Sequence, residues 1–463
     1  MRDKRLMLDL LIQFLALLLS LMLVVITVEL KTIKTVSMTA IMGFFNSLKN
    51  RYPEINKIIQ MRKIFALYTL ILLIATTGCT NSSTQKRSND MDSIQPDKEA
   101  PLLTPLPSPD TLTPSIDSIL ALREKEIQPL PPIQKEIKRN GDLLVPPVKV
   151  KGIYVTGPTA GIQRMNEMID LVVSTGMNTI VLDIKNDGGN ITYKMEHPVA
   201  KEIGACKRFV RNMPALLDTL HAKNIYVIGR IVCFKDSSLA KANPQLAIQN
   251  PDSTLFTDSK GQIWVNPYNE GVWDYLCSLA EKAIEDGFDE IQFDYVRFPI
   301  GEDANQANYG VDINSYTRED ALNNFFAYVE KRLHKKGIIY GADLFGTVIG
   351  SDTDRERTGQ DYVDIASMTD NICPMIYPSH YGPKTFGIDI PDADPYNTIY
   401  RALKLSKKQL SKRDSSQIAV VRPWLQCFTA PWRNGHIKYG SKEIRDQIKA
   451  VYDAGYEEWI LWN

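Results

Sequence analysis

From about residue 148 to residue 463, short apolar runs alternate with longer stretches whose apolar positions recur at helical spacing. The apolar runs predict eight β-strands: Lys149–Val155, Thr179–Ile184, Tyr226–Val232, Glu290–Asp294, Ile338–Leu344, Asn371–Ile376, Ala419–Gln426 and Glu458–Trp462. The stretches between them predict helices, among them Met165–Ser174, Met213–Lys223, Val272–Asp286, Arg318–Lys335 and Lys442–Tyr452. A glycine or asparagine, the usual left-handed C-cap, follows each of these helices: Gly176, Asn224, Gly287, Gly337 and Gly455.

Eight strands that alternate with helices over about 315 residues favour an α/β fold, a (β/α)8 barrel of the TIM type, over a doubly wound sheet. The last predicted strand reaches the end of the sequence, so we expect the barrel to lack its usual last helix. Neither a G-x-G-x-x-G nor a G-x-x-x-x-G-K-[ST] motif occurs, which argues against a nucleotide-binding fold.

The first 79 residues have a different pattern. Leu6–Val28 is almost wholly apolar and long enough to cross a bilayer. A second unit, residues 61–79, has a basic start, a short apolar core and small residues before Cys79, as a secretory signal does. Its end resembles the lipobox of bacterial lipoproteins, in which the cysteine is lipidated, although Thr76 stands where leucine is usual. We therefore predict that Met61 is the true start and residues 1–60 an upstream extension, with two membrane helices as the alternative.

Residues 80–147 are rich in serine, threonine and proline, a composition that buries little surface and stays extended. We interpret this segment as a disordered linker between the membrane and a barrel domain at 148–463. The predicted location is therefore the bacterial cell envelope, with the globular domain outside the cytoplasm and the membrane as a partner.

Composition excludes several classes of function. The chain has 54 basic and 54 acidic residues, so its net charge is near zero and gives no reason to expect nucleic acid as a partner. The five cysteines other than Cys79 are scattered without a C-x-x-C pair, which favours neither a disulfide framework nor a zinc site. The five histidines form no His-x-His pair, so a metal-dependent hydrolase or deacetylase is disfavoured, and we expect no cofactor.

Two aspartates at neighbouring strand ends are the candidate catalytic pair. Asp294 ends the fourth predicted strand, with Arg297 three residues later, and Asp343 lies near the end of the fifth. Barrel active sites lie where strands lead into loops, and glycosidic cleavage typically uses two carboxyl groups. Arg297 would keep Asp294 ionised as nucleophile or base, and apolar neighbours would favour the protonated, acid form of Asp343. The alternative is that one or both aspartates only anchor arginines.

Aromatic, amide and charged side chains near the strand ends suit a sugar, whose ring faces stack on aromatic rings and whose hydroxyls need hydrogen-bonding partners. The candidates for substrate contact are Asp183, Arg230, Trp264, Tyr268, Arg297, Tyr377, His380, Trp424, Gln426 and Trp462. Supporting roles are open for some of them: Asp183 could pair with Lys185, Arg230 could orient a carboxylate, and Trp264 and Tyr268 could pack on the barrel.

Five segments of the chain are distinctive: Gly152–Gly157 (GIYVTG), Leu182–Asp187 (LDIKND), Trp264–Tyr268 (WVNPY), Phe288–Pro299 (FDEIQFDYVRFP) and Pro374–Tyr381 (PMIYPSHY). Together they resemble a family of bacterial proteins classed as glycoside hydrolases with a TIM-barrel domain, over roughly residues 149–463. The activity assigned to that family rests on fold similarity to other sugar-cleaving barrels. The resemblance implies the barrel, and similarity to such enzymes places the carboxylates after the fourth and fifth strands at Asp294 and Asp343.

The leading hypothesis is a lipid-anchored glycoside hydrolase acting on an envelope or environmental polysaccharide. The alternative is a non-catalytic carbohydrate-binding barrel with the same aromatic residues. An aldolase that forms a Schiff base through Lys185 is a further alternative.

Overall fold

The computed structural model describes residues 138–414 and 417–463. The apolar run Leu6–Val28, the lipoprotein-type signal ending at Cys79 and nearly all of the linker lie outside the described residues. Among the residues that are described, no helix is both long enough and apolar enough to cross a bilayer.

Eight parallel strands form the barrel: β1 (Lys151–Val155), β2 (Thr179–Lys185), β3 (Tyr226–Val232), β4 (Glu290–Asp294), β5 (Tyr340–Phe345), β6 (Asn371–Ile376), β7 (Val420–Val421 and Trp424–Gln426) and β8 (Trp459–Trp462). Each strand pairs with the next, and β8 pairs with β1 through Trp459 and Lys151, which closes the barrel. Strand β7 is interrupted around Pro423, because proline has no N–H for the ladder. The predicted (β/α)8 fold is confirmed, and the predicted strand ends agree within two residues.

The helices are α1 (Gly157–Ala160), α2 (Arg164–Ser174), α3 (Pro198–Glu202), α4 (Met213–His221), α5 (Ser237–Ala242), α6 (Glu270–Asp286), α7 (Glu302–Gln306), α8 (Arg318–Leu333), α9 (Asp352–Thr358), α10 (Tyr362–Ala366), α11 (Pro395–Leu410) and α12 (Ser441–Asp453). The five helices predicted by range correspond to α2, α4, α6, α8 and α12. Their predicted C-cap residues all have positive φ, and Gly287 after α6 reaches 115°. This is the left-handed geometry that ends a helix and redirects the chain into the next strand.

Two pairs of short strands lie outside the barrel. Lys138–Asn140 and Leu143–Val145 form an antiparallel hairpin, and the Leu144 N–H donates to Asp370, just before β6. This bond places the hairpin at the N-terminal ends of the barrel strands. Ile191–Tyr193 and Cys206–Val210 extend the sheet beside β2.

The barrel interior is a packed core with an ionic cluster towards each end. Its middle is apolar and includes Val181, Ile228, Cys373 and Ile460. One cluster lies at the N-terminal ends of the strands around Arg422, and the other lies in their C-terminal half. The second cluster contains the aspartates that the sequence singles out.

Candidate active site

Arg230 on β3 is the centre of the C-terminal cluster. It is 1% exposed, and its guanidinium binds three carboxylates. Nη1 lies 2.7 Å from Asp183 Oδ1, Nε lies 2.8 Å from Asp294 Oδ2, and Nη2 lies 2.9 Å from Asp187 Oδ1. The flat, forked guanidinium suits this arrangement, because its five N–H donors point in fixed directions in one plane. Arg230 therefore holds carboxylates in place, which is the supporting role considered for it as an alternative.

Asp294 is the last residue of β4 and lies opposite Val232 of β3. Its Oδ2 is bound by Arg230, and its Oδ1 accepts a hydrogen bond of 2.6 Å from the backbone N–H of Tyr295. Tyr295 has a φ of 48°, a left-handed conformation that costs free energy for a residue with a side chain. The chain bends sharply here, directly after the carboxylate.

Arg297 is not the ion-pair partner of Asp294, contrary to the sequence-based expectation. Its guanidinium lies over the rings of Trp264, Tyr295 and Phe345, at 4.9, 5.1 and 4.7 Å from their centroids. Its Nη1 donates to the carbonyl of Phe298. Burial lowers the pKa of Arg297 from its ordinary value. The chain turns after Tyr295, so Arg297 is directed into an aromatic cluster, while Arg230 from the preceding strand β3 reaches Asp294.

Asp343 on β5 is buried, with 1% of its surface exposed. Its Oδ1 accepts hydrogen bonds from Gln292 Nε2 and from Trp424 Nε1, the latter at 2.6 Å. Its Oδ2 is buried without a hydrogen-bond partner among the described residues. Burial, with a further contribution from the charge of Asp294, raises the pKa of Asp343 well above the usual range. The carboxyl therefore favours the protonated form, the direction expected from its apolar neighbours.

The two aspartates belong to adjacent strands at matching heights. Phe293 on β4 is the register partner of Ala342 on β5, so the next residue of each strand is one of the two aspartates. Paired residues of neighbouring strands point to the same face of a sheet. Asp294 and Asp343 are thus brought together inside the barrel.

Asp183 is buried and receives a hydrogen bond of 2.8 Å from the Tyr154 hydroxyl in addition to its ion pair with Arg230. Burial raises the pKa of Asp183. The alternative pairing of Asp183 with Lys185 is not formed. Lys185 is fully buried and lies 2.8 Å from Asp236, so its amine is already engaged in an ion pair, which argues against the Schiff-base alternative.

Besides Asp183, Arg230 and Trp424, three further candidates for substrate contact are buried and bonded within the protein. The Trp264 indole N–H donates to Asp258, and the Tyr268 hydroxyl donates to the carbonyl of Tyr316. Gln426 is fully buried and bonds the Ser379 N–H and the Asp392 carboxylate. The loop before α6 packs onto the barrel through the two aromatic residues. All three side chains have supporting positions in this structure, which for Trp264 and Tyr268 is the packing role considered as the alternative.

The remaining aromatic candidates lie along the barrel interior and its rim. The rings of Trp462 and Tyr154 stack with centroids 4.2 Å apart, and Trp424 meets Trp462 edge to face at 5.5 Å. Tyr377 is buried next to His380, which is exposed. Trp462 is partly exposed, so among these aromatic candidates it and His380 are the ones that solvent reaches most readily.

The candidates chosen from sequence do not include Asp187, although it lies in the charged segment that ends β2. Its side chain is 47% exposed and binds both Arg230 and Lys235. Burial opposes its ionisation, but the charges of Arg230 and Lys235 outweigh that effect and lower the pKa of Asp187. It is the most exposed carboxylate bound to Arg230. In residues 138–414 and 417–463, no group of three or more His, Cys, Asp or Glu is placed to hold a metal ion.

The structure is similar to several solved structures. The glycoside hydrolase domain of PgaB (BpsB) from Bordetella bronchiseptica is 11% identical, with a TM-score of 0.51, over 68% of this chain and 94% of that one. The glycoside hydrolase domain of PelA from Pseudomonas aeruginosa is 10% identical, with a TM-score of 0.38, over 68% and 94%. A hypothetical protein from Ruminiclostridium thermocellum ATCC 27405 is 38% identical, with a TM-score of 0.37, over 41% and 96%.

Because the two glycoside hydrolase domains are only 10–11% identical to this chain, their similarity concerns the fold alone. The PgaB domain supports the barrel architecture. Among curated proteins, none matches the chain. A family model matches residues 152–463, which include every barrel strand except the first residue of β1. The chain therefore belongs to the family described as "Putative glycosyl hydrolase domain".

Proposed function

We propose that this barrel hydrolyses glycosidic bonds in an envelope or environmental polysaccharide, with Asp343 as general acid and Asp294 as nucleophile or base. The observation that carries the proposal is the different environment of these neighbouring carboxyls. Arg230 and the Tyr295 N–H stabilise negative charge on Asp294, whereas burial and the charge of Asp294 favour a proton on Asp343. Glycosidases use such a division between a protonated and an ionised carboxyl group.

In this mechanism, Asp343 gives its proton to the glycosidic oxygen as the bond to the anomeric carbon breaks. Gln292 and Trp424 both donate to Oδ1 of Asp343, which leaves Oδ2 as the oxygen able to carry the proton. Asp294 then attacks the anomeric carbon or removes a proton from the attacking water. The anomeric configuration of the first product, followed by NMR, distinguishes these two routes.

Solvent access is the specific observation in favour of a second candidate, a non-catalytic carbohydrate-binding barrel. Asp294 and Asp343 are only 4% and 1% exposed. A sugar reaches them only if side chains that cover the barrel interior move. If they do not move, the aromatic rim would still bind glycans without cleavage.

The first prediction separates these candidates by substituting each aspartate with asparagine. Reducing-end release would be measured on a panel of bacterial exopolysaccharides and β-linked glycans. We expect Asp294→Asn and Asp343→Asn each to lower turnover by about a thousandfold, since each variant removes a charge or proton that the reaction needs. Unchanged glycan affinity in both variants, measured by calorimetry, would assign the loss to chemistry.

Asp218→Asn on the exposed surface of α4 is the matched control and should keep full turnover. Thermal unfolding of every variant checks that the barrel is intact. Glycan binding by the wild-type chain without any product, or full turnover by Asp294→Asn, would refute the two-carboxylate mechanism.

A further inference from the structure

Trp432 lies in the loop that follows β7, residues 427–440, and is 65% exposed. Among the described residues, this is the largest exposed fraction of any large hydrophobic side chain. Loops that follow barrel strands form the face on which TIM-barrel active sites lie. The tryptophan is therefore exposed on the face that carries the two aspartates.

Several hydrogen bonds hold this loop in place. Gln426, at the end of β7, donates to Asp392 and to the carbonyl of Phe428. The Tyr439 hydroxyl donates to the carbonyl of Asp392, and Arg433 donates to the carbonyl of Ser379. The loop is thus fixed to the neighbouring loop after β6, so Trp432 is presented on a supported surface.

Aromatic contacts connect Trp432 to the barrel interior. The ring of Trp432 is nearly parallel to that of Phe428, at 20° and 6.1 Å between centroids. Phe428 meets Tyr377 edge to face at 5.9 Å and His380 at 6.4 Å. Tyr377, His380, Phe428 and Trp432 are called the aromatic platform below.

The inner end of the aromatic platform reaches the candidate catalytic pair. Tyr377 and Phe428 pack in the same interior cluster as Trp424, and the indole N–H of Trp424 donates to Asp343. The platform thus runs from solvent to the side chains around the buried carboxyl. A molecule bound on the platform would therefore lie beside the proposed catalytic pair.

We propose that the aromatic platform is a glycan subsite, in which Trp432 stacks on a sugar ring at least one unit away from the cleaved bond. This inference rests on the proposed function. The sugar class is a chain of β-linked pyranose rings with equatorial substituents, because such rings present flat C–H faces that stack on an aromatic surface. The barrel would consequently act within or along a polymer and favour long chains over short ones.

The polar edge of the platform also suits a sugar. His380 packs against Tyr377 and Phe428 but remains exposed, and its Nδ1 lies 3.1 Å from the Ser379 hydroxyl. Burial of the ring against its neighbours, with the charge of Arg433, lowers the pKa of His380. A neutral imidazole can both donate to and accept from a ring hydroxyl.

The experiment measures binding of cellohexaose and chitohexaose by calorimetry, using the full chain and its Trp432→Ala, Trp432→Tyr and Leu171→Ala variants. We expect Trp432→Ala to weaken binding of at least one hexasaccharide by about tenfold, while Trp432→Tyr stays within about threefold because a tyrosine ring still stacks. Leu171→Ala removes an exposed apolar side chain from α2 and should bind like the wild type.

Hydrolysis distinguishes failure of the subsite from failure of the proposed function. The subsite predicts that Trp432→Ala raises KM for the hexasaccharide that is cleaved but leaves cleavage of the matching disaccharide unchanged. Equal hexasaccharide affinity in Trp432→Ala and the wild type overturns the subsite, as does absence of wild-type binding to either hexasaccharide up to about 10 mM. Binding that depends on Trp432, without any product from the wild type, upholds the subsite and overturns the hydrolase.

Discussion

The barrel interior contains two buried clusters, each organised by one arginine, and they differ in how completely their charges are paired. In the N-terminal cluster, Arg422 binds Glu290 at 2.6 Å, Glu458 at 2.9 Å and the amide oxygen of Asn371 at 3.1 Å. Tyr226 adds a hydrogen bond to Glu290. The ionised side chains of this cluster are at most 4% exposed.

The C-terminal cluster has more carboxyl groups than its arginine can bind. Arg230 binds Asp183, Asp187 and Asp294, and Asp343 lies beside them with one buried oxygen that has no partner among the described residues. The cluster reaches solvent through Asp187. An unpaired buried carboxyl costs free energy, and such costs concentrate at functional sites.

The difference between the two clusters shows that a buried ion pair does not by itself identify an active site. Both clusters have a buried arginine and perturbed carboxyls, since burial raises the pKa of Glu290 as it raises that of Asp343. In the N-terminal cluster both oxygens of Glu290 and the amide oxygen of Asn371 are bonded, and the buried Asn371 Nδ2, a neutral donor, has no partner among the described residues. Its carboxylates are sealed from solvent and paired with Arg422, so its role is to hold strands together. The C-terminal cluster has an unsatisfied carboxyl and an exposed edge, which are the features that a reaction needs.

The largest effect on stability is expected from breaking the N-terminal cluster. Arg422→Met leaves Glu290 and Glu458 buried without their cation and should lower the free energy of unfolding by about 3–5 kcal/mol. Urea unfolding at neutral pH measures the loss. Adding Glu290→Gln to this variant removes one of the two buried charges that have lost their cation, and should recover part of the lost free energy of unfolding. A loss below about 1 kcal/mol for Arg422→Met would show that this cluster does not stabilise the barrel.

An effect of intermediate size per pH unit is expected from the pH dependence of the C-terminal cluster. The pKa of Asp343 is raised in the folded protein, whereas the unfolded value is about 3.9. Below the unfolded value both states are protonated. As pH rises towards the folded value, only the unfolded state releases its proton, so stability falls by up to about 1.4 kcal/mol per pH unit.

Asp343→Asn tests this dependence because asparagine does not titrate. The free energy of unfolding of the wild type minus that of the variant should decrease as pH rises from 4 to 8, starting from about the unfolded pKa. Contributions from Glu290 and Asp183, common to both proteins, largely cancel in this difference. A difference that stays constant with pH would mean that Asp343 has no raised pKa.

The smallest effect on stability is expected at Asp187, where the C-terminal cluster reaches solvent. Asp187→Asn removes the contacts with Arg230 and Lys235, but solvent screens this half-exposed carboxylate, and Asp183 and Asp294 still hold Arg230. The expected loss in the free energy of unfolding is at most about 1 kcal/mol. Urea unfolding measures it, with Asp218→Asn as the control. A loss as large as that of Arg422→Met would contradict the distinction between a sealed and an open cluster.

The strand positions of the candidate catalytic pair could be predicted from sequence, because barrel active sites lie where strands lead into loops. The alternation of apolar residues placed Asp294 at the end of β4 and Asp343 near the end of β5, where the structure has them. Partners across the barrel were harder to predict. Arg230 binds Asp294 although 64 residues separate them, whereas Arg297, three residues away, does not. Strand register and the turn at Tyr295 decide this pairing, and neither is evident from local spacing.

The solvent exposure of individual side chains was the other property that could not be predicted from the sequence pattern. Trp264, Tyr268 and Gln426 have residue types suited to sugar contact, but loop packing buries them. Trp432, which was not among the candidates, is exposed because the loop after β7 is tied to the loop after β6. Which face of a loop meets solvent depends on contacts between segments far apart in the sequence.

Local sequence patterns were sufficient to predict the eight strands, the barrel class and the positions of Asp294 at the end of β4 and Asp343 near the end of β5, because backbone periodicity and turn residues act over a few neighbouring positions. Tertiary structure alone decided which arginine binds Asp294, that Asp343 is enclosed and so favours its proton, and that Trp432 faces solvent. These properties arise from charge, burial and distance among strands and loops that meet only when the barrel closes.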